Sequence, residues 1–65
     1  MLEYLLKIMQ GDAPFTLEFT THNGDEFDCA LRSADAHGIA VEDVTAGREY
    51  LVPWSSVEYL TVVWG

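Results

Sequence analysis

Two hydrophobic periods divide the chain. Residues 1–10 carry Leu2, Leu5, Leu6 and Met9 at helical spacing, and Tyr4 and Ile8, four apart, widen that stripe. Gly11 stops the helix and Pro14 keeps it stopped, so the helical segment covers 1–11. Ten or so residues do not hold a helix in water alone, so the stripe must dock, here across the open end of a barrel. From residue 15 the period becomes two. Phe15, Leu17 and Phe19 alternate with Thr16, Glu18 and Thr20, the mark of a half-buried strand. Asn23-Gly24 closes it with a strong hairpin signal. Phe27, Cys29 and Leu31 then alternate with Asp28, Ala30 and Arg32. A polar turn over 33–38 leads to Ile39, Ala40 and Val41, and Ala46-Gly47 turns the chain into 49–52.

The segment 49–63 holds two apolar runs broken by Pro53-Trp54-Ser55-Ser56, which predicts a strand, a one-turn corner and a last strand. That last strand is apolar on both faces, with Tyr59, Thr61 and Val63 on one and Leu60, Val62 and Trp64 on the other. A terminal strand of a small domain ordinarily keeps one wet face, so this pattern predicts self-association. Leu51 and Val52 supply the opposing edge, and Trp54, Tyr59, Leu60, Val62 and Trp64 complete the expected interface. The fold class is mainly β: an N-terminal α-helix, then a strongly bent five-stranded antiparallel barrel over 15–64, in one domain covering 1–65. A flat sheet of five short strands would leave one face uncovered.

Size sharpens the case for assembly. A chain of 65 residues buries only about 60% of the surface its unfolded form exposes. Disulfides, a metal or oligomerisation usually make up the difference. Cys29 is the one cysteine and forms no internal disulfide; with His22 and His37 it makes no zinc spacing. No cofactor is expected. No apolar run approaches the roughly 18 residues of a membrane span, and no basic leader opens the chain, so the expected location is cytoplasmic.

Eleven acidic residues against Lys7, Arg32 and Arg48 give a net charge of −8. Nucleic-acid binders draw most of their affinity from cations on phosphates, so this balance disfavours RNA and leaves a basic protein as the other charged partner class. A lipid surface is excluded for the helix, whose only cation is Lys7.

The order of elements resembles the Sm-like family of small barrels, and Phe15, Leu17, Phe19, Gly24, Phe27, Leu31 and Asp35 fall in the order of its first motif. Val57 and Leu60 run in phase with its second. SH3-like barrels share the one-turn corner and are the alternative fold. The resemblance covers nearly the whole chain and implies a ring in which the fourth strand of one subunit pairs with the fifth of the next. It also implies a single-stranded RNA site at Asp35, His37, Trp54 and Ser55, where His37 stands two residues after the motif Asp. The Asn expected behind it is replaced by Gly38-Ile39, and Pro53-Trp54-Ser55 occupies the usual cationic RNA contacts. Trp54 suits base stacking, but no cation stands beside it in sequence.

No catalytic set stands out. Ser55 and Ser56 have no neighbouring base, Cys29 falls on the core face, and Asp25-Glu26-Asp28 and Glu42-Asp43 match no calcium loop. Arg32 is expected in a cross-strand ion pair near Asp28 and Glu18, Asp35 as an acceptor in its own turn, and His22 as a turn residue. Three roles remain open: an oligomeric binding or scaffold protein without enzymatic activity, a weak single-stranded RNA binder, and an SH3-like module taking peptide on Trp54 and Tyr59.

Overall fold

The computed structural model describes residues 2–65. Helix α1 spans Leu2–Met9, and strands β1 (Phe15–Thr21), β2 (Glu26–Ala34), β3 (Gly38–Asp43), β4 (Arg48–Pro53) and β5 (Val57–Trp64) follow. A single 3₁₀ turn, Trp54–Ser56, joins the last two strands. The expected helix and five strands are all present; Met1 lies outside the described residues. All strand pairs are antiparallel, in the order β4-β3-β2-β1-β5.

The mechanism of bending lies in β2. Its first half pairs with β1, from Leu17 opposite Cys29 to Thr20 opposite Glu26. Its second half pairs with β3, from Ala30 opposite Glu42 to Ala34 opposite Ile39. The register slips between Leu31 and Ser33, leaving Arg32 as an extra residue, and such a bulge increases local twist. The sheet therefore curls strongly. The expected helix followed by a strongly bent five-stranded antiparallel sheet is thus present, and because no ladder joins β4 to β5 the curled sheet is not a closed barrel.

Inside the curl lie Leu5, Leu17, Phe19, Cys29, Ile39 and Val41, all buried. Phe27 links the two halves, with ring centroids 5.1 Å from Phe19 and 5.5 Å from Tyr50. Leu5 is the one helix residue fully buried, whereas Tyr4 and Leu6, read as part of the docking stripe, are exposed. Fully burying a leucine stabilises by roughly 2–3 kcal/mol, so Leu5 is the principal anchor of α1. Gly24, with φ 86°, sits in the predicted Asn-Gly turn, where a left-handed conformation suits glycine.

Candidate functional site: two open edges and a tied corner

The β2–β3 turn and the β4–β5 corner are tied into one unit. The Asp35 carboxylate accepts from the backbone N–H groups of His37 (2.8 Å) and Gly38 (3.2 Å). Those two bonds, His37 first, hold its pKa below the ordinary carboxylate value. The indole N–H of Trp54 donates to the Asp35 backbone carbonyl at 2.7 Å, and the Trp54 backbone N–H donates to His37 O at 3.2 Å. Gly38 permits the approach: a Cβ there would stand 2.2 Å from the Val52 carbonyl oxygen. Trp54 is half-buried and packs against the core of the chain, fixing the corner. Asp35, His37 and Trp54 thus meet, Ser55 lies exposed on the same corner, and the His37 side chain is exposed.

An apolar groove of about 340 Å³ opens beside this corner on the outer side of the sheet. Ser33, Ala40, Leu51 and Pro53 line it, and Asp35 and His37 stand at one end. Its shape follows from register, because small Ala40 sits opposite Leu51 and leaves that side chain 79% exposed. The sequence reading marked Leu51 but missed Ala40 and Gly38; only the β3–β4 register brings them together.

Val52, beside Leu51 on β4, points inward and packs against the core, while Tyr59, Leu60, Val62 and Trp64 fall on the opposite edge. Tyr59 is 70% exposed on the outer side of β5, and Val63 is exposed on the same side. Leu60 and Val62 point inward and pack against the core, while Trp64, half exposed, leans on Phe15 at 5.6 Å. The two edges are free along their backbones. The Trp54-to-His37 bond continues the β3–β4 register, and bonded pairs alternate in antiparallel ladders. By that alternation Arg48, Tyr50 and Val52 address β3, so Glu49 and Leu51 direct N–H and C=O outward. The bond from Gly65 N–H to Pro14 O, 3.2 Å, fixes β5 in the same way. Tyr59, Thr61 and Val63 address β1, and Leu60, Val62 and Trp64 direct theirs to the free edge.

Charges are arranged differently from the sequence reading. Arg32 bonds Glu42 on β3, its Nε 2.7 Å from the carboxylate, and not Asp28 or Glu18, because the bulge turns it toward β3. Glu18 faces Asp28 directly across β1–β2, and with Glu26 they make the outer face of this half acidic. Among the described residues Arg48 has no carboxylate within ion-pair distance. His22, exposed in its turn, lies 3.9 Å from Glu58. Cys29 is buried, and burial, followed by the charges of Asp43 and Asp28, pushes its thiol pKa up. Among the described residues no three His, Cys, Asp or Glu side chains are grouped to hold a metal ion. Among the described residues no helix is long and apolar enough to cross a membrane. Comparison with protein-family models, curated proteins and solved structures gives no match.

Proposed function

We propose that this chain is an Sm-like scaffold protein that assembles with copies of itself through β4 and β5, as a closed ring, and performs no catalysis. The observation that carries this reading is the pair of unpaired edges: each combines outward backbone groups with a large exposed apolar residue, Leu51 on one and Tyr59 on the other. An open apolar edge is an aggregation hazard unless something covers it. Pairing the two satisfies the backbone and removes both edges when the ring closes. In light scattering at micromolar concentration the protein should run as a discrete multiple of its 7.3 kDa mass. Leu51→Asp and Tyr59→Asp should each give a monomer with unchanged far-ultraviolet circular dichroism. A wild-type monomer under those conditions overturns the proposal and leaves the SH3-like peptide module as the better reading.

A second reading has one observation in its favour. His37 is exposed at the end of an apolar groove, on a turn that Trp54 holds rigidly. That geometry suits a single-stranded RNA base at Asp35, His37, Trp54 and Ser55, although a net charge of −8 opposes it. Short uridine- or adenosine-rich strands should show no measurable affinity at physiological salt. Binding that weakens steeply with salt and is lost in His37→Ala would establish the RNA reading instead.

A further inference from the structure

The outer face of the β2–β3–β4 half carries its side chains in three rows. In the middle row Leu51, Ala40 and Ser33 are successive neighbours across the three strands and form the apolar floor of the groove of about 340 Å³. One row beyond it, Glu49 stands directly opposite Glu42, and Arg32 bonds Glu42. On the other side Pro53 faces Gly38, and Asp35 and His37 close the groove. A carboxylate therefore marks each end of the floor, and neither end is neutralised. Glu42 and Glu49 are like charges in direct opposition, an unfavourable cross-strand pair, with the single guanidinium of Arg32 beside them. At the other end the N–H groups of His37 and Gly38 both donate to Asp35 Oδ1, which leaves Oδ2 without a hydrogen-bond partner among the described residues. Gly38 and Glu42 are four residues apart on β3. At the rise of a strand the two charged rows are about 13 Å apart.

We propose that this groove takes an extended segment of another protein with the pattern cation-x-apolar-x-cation. Alternate side chains of an extended chain share a face, so its positions i, i+2 and i+4 reach the three rows together. The apolar side chain enters over Ala40, between Leu51 and Ser33, while one cation reaches Glu49 and the other Asp35. Charge selects the class of ligand: phosphates are repelled at both ends, and a net charge of −8 draws in a basic segment. Size points the same way, because the groove lies at the lower end of the roughly 300–1,000 Å³ range of ligand sites and suits one leucine-sized side chain. A second copy does not supply the pattern, since Lys7, Arg32 and Arg48 are the only basic residues and no two are four apart. Edge pairing adds a strand beside β4 and leaves the floor open, so the inference goes beyond the assembly reading and stands or falls separately.

The test is a titration of the ¹⁵N-labelled full chain, at low salt, with the peptide acetyl-Gly-Ser-Lys-Thr-Leu-Thr-Lys-Ser-Gly-amide. Saturable amide shifts centred on Gly38, Ala40 and Leu51 are expected, with a dissociation constant of about 1 mM. Serine in place of the peptide's leucine should weaken binding about tenfold. Placing both lysines on one side of the leucine, at unchanged composition, should weaken it about threefold. On the protein, Glu49→Gln and Asp35→Asn should each do the same, about threefold. Ala40→Leu fills the floor and should abolish binding; if that chain does not fold, Ser33→Leu closes the same floor from an exposed position. Tyr59→Asp, which dissolves the proposed assembly, should leave the affinity unchanged, and a loss there would place the site between copies and overturn a groove complete in one copy. Equal affinity for the leucine and serine peptides, or binding that survives the filled floor, overturns the groove as the site. Equal affinity for spaced and adjacent lysines overturns the pattern. Shifts centred on Glu18, Asp28 and Tyr59, or no shift at about 5 mM peptide, overturn the proposal outright.

Discussion

At the scale of single residues the tied corner depends on two positions that do unrelated jobs. Gly38 is present because any Cβ would collide with the Val52 carbonyl, a backbone atom that cannot move without breaking the β3–β4 register. Asp35 is present as an acceptor for two backbone N–H groups. Its folded pKa is lowered, so the stability it contributes is fully present above the unfolded value of about 3.9 and is lost as pH falls through the folded value. The turn should therefore hold through mildly acidic conditions and loosen below about pH 4. Asp35→Asn keeps an acceptor that does not titrate in this range, and should flatten this part of the acid-unfolding curve. Asp35→Ala should lower stability at neutral pH by a similar amount at every pH above 5. Urea titrations at pH 3.5, 5 and 7 read both outcomes; equal pH dependence in the wild type and Asp35→Asn would remove the carboxylate from this role. Cys29 illustrates the opposite case, a titratable group placed where it stays neutral, with its thiol inside the curl.

At the scale of elements, α1 and the bulge in β2 decide how the sheet covers its core. The helix contributes one fully buried residue, Leu5, so its docking should be unusually sensitive to that position. Leu5→Ala should cost about 2–5 kcal/mol, while Leu6→Ala, on the exposed side, should cost well under 1. Chemical denaturation of the two variants checks the contrast, and equal losses would mean that the helix docks by its whole stripe. These elements were largely legible in the sequence. A switch from period 3.6 to period 2 needs no tertiary information, and Asn23-Gly24 and Ala46-Gly47 mark turns by their own backbone chemistry. The bulge was not legible, since nothing in the alternation of Leu31, Arg32 and Ser33 announces an extra residue. For that reason the alternation alone points Arg32 toward Glu18 and Asp28, whereas its partner is Glu42. The helix stripe behaves in the same way: helical spacing shows which residues share a face, but not how deeply each one docks. The extent of curling is a further matter. Whether β4 meets β5 depends on how far β2 bends, a sum of twist that no local pattern records.

At the scale of the whole molecule, the charge that disfavours RNA also opposes the assembly proposed for the chain. Each copy carries −8 in a body with principal extents of 32 × 26 × 16 Å. Two such charges, taken as points 26 Å apart, repel by about 10 kcal/mol in unscreened water. Screening reduces this to about 4 kcal/mol at 0.01 M salt and to about 1 kcal/mol at 0.1 M. Repulsion therefore dominates the salt dependence, and self-association should strengthen by roughly two orders of magnitude per contact between those two ionic strengths. Binding of RNA or of a basic protein has the opposite sign, because each added salt increment weakens attraction between unlike charges. A sedimentation series across that range thus tests the assembly reading by direction as well as by size. Association that grows with salt, and grows again as pH falls toward the pI of about 4.2, is the signature of acidic copies meeting along apolar edges. Association that salt dissolves would mean that the contact is made by charge, and that β4 and β5 are not where the copies meet.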